Sequence, residues 1–196
     1  MYILPGLLMM NVITNAVANT ASSMLQMKLL QTLPELLITP LSSLELSLSF
    51  IIGGTVRGFV NGILILLICI MVGMEIRDPV STVFIIFVVA WSFSSLGLFI
   101  GQMSDSWDQL SLIQNFVLTP LSFLGGIFYS VTMLPEWGLA ISKVNPVFYT
   151  INSLRYATLG ASDAPFASSM VFIVLFSLLL TTLAVKTMES GKKIRF

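Results

Sequence analysis

The sequence predicts an all-α fold, a polytopic bundle of transmembrane helices, and three observations carry that expectation. Hydrophobic residues make up 56% of the 196-residue chain and charged ones 9%, against roughly 25% charged residues in a soluble domain. The mean hydropathy is +0.98. Apolar stretches of roughly 20 residues, enough to cross a bilayer as a helix, recur along the chain with proline- and glycine-bearing segments between them. There is no internal repeat, low-complexity tract or linker, so the chain reads as one membrane domain.

Five stretches qualify as spans. The first, residues 2–27, carries no charge but repeats an amide at Asn11, Asn15 and Asn19, a spacing that lines one side of a helix. Polar side chains inside a membrane turn toward another helix or a wet cavity, so the row either bonds a neighbouring helix or lines a polar path. The segment 29–39 is too short to cross and is punctuated by Pro34 and Pro40. Leu29, Leu30, Leu33, Leu36 and Leu37 have helical spacing with Gln31 and Glu35 between them, an amphipathic pattern that lies in the interface or docks a soluble partner.

The second span, residues 43–72, begins near Glu45 and holds Arg57 twelve residues further on, about 18 Å along a helix. A cation near mid-membrane costs about 2.5–3.5 kcal/mol on insertion scales, so Arg57 needs carbonyls, amides or water. The asparagine row is a candidate partner, whether Arg57 clamps helices or lines a path. Gly54, Gly58 and Gly62 form a double GxxxG repeat in this span, and Gly97 with Gly101 repeats it in the third, residues 80–103. Such spacings let backbones approach closely. The fourth span, residues 110–129, is interrupted by Pro120. Residues 130–164 combine breakers with interfacial aromatics in Leu134-Pro135-Glu136-Trp137 and Asn145-Pro146-Val147-Phe148-Tyr149, as expected of short helices that dip into the membrane and return where protein covers them. The fifth span is residues 167–185.

The tail, residues 186–196, carries Lys186, Lys192, Lys193 and Arg195 against Glu189, which assigns it to the cytoplasm. Five crossings then place the N-terminus outside. The opening residues have no basic n-region, so a further span is expected before Tyr2.

Composition also excludes. Nine basic residues balance nine acidic ones, so no nucleic-acid partner is expected. With no histidine, the commonest metal ligand and general base are missing, and no span holds an aspartate. A metal site, a catalytic set and an intramembrane hydrolase are therefore not expected. Cys69 is the single cysteine. No phosphate-binding G-x-x-x-x-G-K-[ST] loop occurs, so no cofactor is expected on this chain.

The run Asn115-Phe116, then Pro120 through Gly125-Gly126-Ile127-Phe128, followed by Leu134-Pro135-Glu136-Trp137, Asn145-Pro146, Arg155 and Gly160, resembles in order and spacing the signature of ABC-2-type permeases. Thr39-Pro40-Leu41-Ser42 with Glu45 extends the likeness over nearly the whole chain. The resemblance implies a bacterial inner-membrane permease subunit that exports an amphiphile, such as a lipid, a polysaccharide or a drug-like molecule. Its partners would be a separate ATPase subunit that binds the ATP, a second permease, identical in a homodimer, and membrane lipid. It implies that residues 29–39, with Leu33, Pro34, Glu35 and Leu36, form the coupling helix that meets the ATPase, and that residues 130–164 are re-entrant outer helices. It also implies that the family's interface helix and first span precede Tyr2. The alternatives are a self-sufficient secondary carrier and an inactive, truncated remnant.

Overall fold

A computed structural model of the chain describes residues 2–33 and 40–191, and among these every regular element is helical. Three helices are long and apolar enough to cross a membrane: α2 (Ser43–Met71), α3 (Pro79–Met103) and α8 (Phe166–Ser190). The first helix, α1 (Leu4–Leu29), is as long as they are but carries the asparagine row, Thr14, Thr20, Ser22 and Ser23. Between α3 and α8 come α4 (Trp107–Ile113), a π-helical turn (Gln114–Leu118), α5 (Thr119–Leu124), a 3-10 turn (Val131–Met133), α6 (Glu136–Val144) and α7 (Pro146–Leu159).

Helix starts follow from local chemistry. Ser42 and Glu45 form a reciprocal capping box that opens α2, satisfying two backbone donors that a helix end leaves orphaned. Asp78 caps α3, accepting from the Ser81 hydroxyl at 2.6 Å and the Ser81 amide at 3.1 Å, and these two bonds hold its carboxyl below the ordinary aspartate range. Proline occupies the first turn of α3 and of α7, where its missing N–H costs nothing.

The core is α1 laid between α2 and α3. Along α1 the buried residues come as doublets four apart, Leu8-Met9, Val12-Ile13, Ala16-Val17 and then Thr20-Ala21 and Met24-Leu25, so one broad face meets two neighbours. The glycine repeats make that contact possible. A Cβ on Gly97 would lie 2.7 Å from the Val17 carbonyl oxygen, and one on Gly101 would lie 2.8 Å from that of Ala21. On α2, a Cβ at Gly58 would meet the Ala16 Cβ at 2.9 Å, and one at Gly62 the Val12 Cγ2 at 2.7 Å. Gly54 faces Thr20 and Ser94, whose hydroxyls bond each other at 2.7 Å while Ser94 donates to the Ile51 carbonyl at 2.7 Å. This polar contact ties three helices where their backbones are closest.

The other side of α2 shows the opposite character. Ile52, Val56, Val60 and Leu64 form an exposed apolar stripe four residues apart, which suits acyl chains. The apolar window of α3 is 67% buried, against 33% for α2 and 28% for α8. Helix α3 is therefore the axis around which the others pack. Helix α8 joins it through Trp91 Nε1 to Thr181 Oγ1 (3.1 Å), Ser95 with Thr181 (3.0 Å) and Gln102 Nε2 to the Ala184 carbonyl (3.2 Å).

Proline 120 does not stop its helix. The rod runs from Trp107 to Leu124, and the π turn ends at Leu118, one residue before Thr119-Pro120 resumes the α-helix. A proline ring inside a helix strikes the carbonyl four residues earlier, here that of Phe116, and donates no bond to it. Widening the turn over Gln114–Leu118 opens that space, and Thr119 satisfies the Gln114 carbonyl from its amide and, at 3.1 Å, from its hydroxyl. The rod ends at Gly125-Gly126, where Gly126 takes φ +83°.

Candidate functional site: a polar cleft and two polar nodes

The side of α1 turned away from the core carries the asparagines. Asn15 Nδ2 donates to Asn11 Oδ1 at 2.8 Å and to the Asn11 carbonyl at 3.0 Å. Asn19 Oδ1 accepts from Arg57 Nη1 at 2.8 Å. Arg57 stands fourteen residues from either end of α2 (Ser43 and Met71), so the pair sits at the helix midpoint. Asn15, Asn19, Ser22 and Arg57 open onto a cleft of about 230 Å³, closed on its far side by Trp107, Leu110, Ser111 and Gln114 of the α4 rod. Three of the four path residues expected from the sequence, Asn15, Asn19 and Arg57, line the cleft, and Asn11 is held behind them through Asn15. Trp107, Ser111 and Gln114 were not singled out by sequence reasoning. Their spacing of four and three residues was the available signal.

A second node closes the Lys28 end of the bundle. Lys28 is buried in the last turn of α1. Its ammonium donates to the carbonyls of Gln102 (3.0 Å) and Ser104 (2.7 Å) and pairs with Asp105 Oδ1 at 3.4 Å. A cation here offsets the partial negative charge of the α3 C-terminus and ties α1 to the α3–α4 connection. Replacing Lys28 with Met leaves those carbonyls unmet and is expected to lower stability by about 2 kcal/mol, with Lys28→Arg losing less. Thermal denaturation of the purified protein in mild detergent measures both.

A third node joins the opposite ends of the helices. Arg155, buried in α7, donates to the Gly126 carbonyl at 2.8 Å, pairs with Asp163 Oδ2 at 3.6 Å and lies 3.9 Å from the ring centroid of Tyr2. Asp163 also accepts from Ser130 Oγ (2.6 Å) and the Val131 amide (3.0 Å). Asn152 accepts from the amides of Asp163 and Ala164 and donates to Ser169. The signature residues have structural work at this end. Asn145 caps α7 at the Val147 amide and donates to the Leu121 carbonyl at 2.6 Å. Pro135 precedes α6 as its N-cap, and Pro146 opens α7. Trp137 is 70% exposed on α6, and Asn115 is exposed on the π turn. Of the expected coupling residues, Leu33 is fully buried against Met24, Leu46 and their neighbours. Pro34, Glu35 and Leu36 lie outside the described residues.

Among the described residues, an all-helical bundle with three helices long and apolar enough to cross a membrane is the architecture of a polytopic membrane protein. The family can be stated directly. Residues 1–159 match the ABC-2 type transporter family model, and the chain belongs to that family. It is 36% identical over 195 residues to the inner membrane transport permease YadH of Escherichia coli (strain K12), a match covering 99% of this chain and 76% of that protein. It is also 30% identical over 76 residues to Nodulation protein J of Rhizobium leguminosarum bv. viciae, covering 39% of this chain and 29% of that protein. A permease of this family is a transport component and not itself an enzyme.

Proposed function

We propose that the chain is the membrane-spanning subunit of an ATP-driven exporter in the bacterial inner membrane. In this reading α1, α2, α3, the α4–α5 rod and α8 are five spans, the tail is cytoplasmic, and α6–α7 are re-entrant helices of the outer leaflet. The observation that carries it is the cleft: an arginine and amides at the midpoint of a helix whose outer stripe is apolar give a polar head somewhere to reside halfway across. An amphiphile, polar at one end and apolar at the other, suits that environment. ATP hydrolysis belongs to a separate ATPase that engages residues 29–39, and a second copy of the permease completes the pathway. Lys28, directly before that segment and bonded to the α3–α4 connection, supports a route by which the ATPase moves more than one helix.

The test is co-purification. A C-terminally tagged chain extracted from its native membrane in mild detergent is expected to bring a P-loop ATPase in stoichiometric amount, and Glu35→Lys is expected to release that ATPase or lower its coupled export about ten-fold. A permease that transports without any ATPase would instead be a self-sufficient carrier, and the exporter reading would fall.

A further inference from the structure

We propose that the cleft is a site for an anionic headgroup, with Arg57 as the selecting residue, so that the cargo is an acidic amphiphile. The inference deepens the transport reading and rests on the cleft being part of the path.

Charge is the first ground. Among the described residues that line the cleft, Arg57 is the single charged one and none is a carboxylate. Its hydrogen bond to Asn19 uses one N–H of a guanidinium that carries several, and among the described residues no other group accepts from it or pairs with it. Four of the described acids are held by other groups: Glu45 by Ser42, Asp78 by Ser81, Asp105 by Lys28, and Asp163 by Ser130 and Arg155. A guanidinium at mid-helix with one neutral partner keeps a large unmet electrostatic demand, and a phosphate or carboxylate answers it with charge-assisted, bidentate geometry.

Shape is the second. About 230 Å³ is below the roughly 300–1,000 Å³ that enclose a whole drug-sized ligand. The volume suits a head and leaves apolar chains outside it, against the lipid-facing surfaces of α2 and of the rod, where Leu112, Phe116 and Val117 are exposed. Of the neutral lining groups, Ser111 and Gln114 can donate to head oxygens, and the Trp107 indole forms a wall.

Trp107 also supplies the reporter. Trp91 and Trp137 are the other tryptophans, so a Trp91→Phe/Trp137→Phe background leaves Trp107 as the sole emitter. The full-length permease, with whatever subunits accompany it, is placed in nanodiscs containing brominated phosphatidylglycerol or brominated phosphatidylcholine, and quenching is titrated against mole fraction. The anionic lipid is expected to quench at about ten-fold lower mole fraction. Arg57→Gln is expected to erase the difference, and Arg57→Lys, which keeps the charge, to retain it. Equal quenching by the two lipids overturns the proposal, as does a preference that survives Arg57→Gln or is lost in Arg57→Lys. Relief of quenching by inorganic phosphate alone assigns the site to a free anion and overturns the amphiphile. Because the readout needs no ATP, failure here is separate from failure of the ATPase to co-purify.

Discussion

Gly97→Val is expected to abolish the recoverable folded protein. The residue lies against α1, where even a methyl group would sit 2.7 Å from the Val17 carbonyl oxygen and 2.9 Å from its Cα. Both atoms are backbone, so no rotamer change makes room and the helices must separate. Overpacking a tight interior costs about 1–3 kcal/mol when side chains can adjust, and a backbone obstacle puts this case at or beyond the upper end. Gly54→Ala acts differently, because it drives a methyl into the Thr20 and Ser94 hydroxyls and breaks their mutual bond. Gly53→Ala is the control: nothing lies within 4 Å of its Cβ position, and alanine favours the helix by about 1 kcal/mol. Fluorescence-detected size-exclusion after heating ranks the three. A Gly97→Val protein that elutes as a sharp peak with an unchanged melting point would overturn the packing account.

Arg155→Met is expected to cost about 3–5 kcal/mol, the scale of removing one member of a buried ion pair. Arg155 is 2% exposed, and Asp163 depends on it for compensation while also holding Ser130 and Val131. Removing the cation strands a carboxylate and the Gly126 carbonyl together. The double variant Arg155→Met/Asp163→Asn is therefore expected to be more stable than Arg155→Met alone, because it discharges the stranded acid. Thermal unfolding of the four proteins gives the coupling energy, and strict additivity would show that the pair contributes nothing beyond its separate parts.

Much of this architecture was legible in the residues. The GxxxG repeats announced a close helical contact because glycine spacing encodes proximity directly, although only coordinates reveal that α1 is the shared partner of both. The asparagine row and Arg57 were legible because polar groups inside an apolar run need partners, and Asn19 was among those expected. Other parts were not. Lys28 did not stand out in the sequence, since burial of a lysine at a helix end depends on where a helix 74 residues away terminates. Pro120 read as a break because sequence shows the missing donor and not the π turn that relieves it. Trp107, Ser111 and Gln114 lie in an ordinary helical register, and what makes them cleft residues is that the α4 rod stands across from Asn15, Asn19 and Arg57.

The bond between Tyr2 and Asp163 spans 161 residues, and Arg155 reaches back to Tyr2 across almost as many. At bacterial synthesis rates the interval between emergence of the two ends is on the order of 10–30 s. Tyr2 thus waits for the synthesis of 161 further residues before the partners that fix it exist. The glycine contacts of α1 with α2 and α3 close long before then. Assembly accordingly has a built-in order, with a helical trio settled early, the Arg155 node closed next and the bonds of α8 to α3 made last.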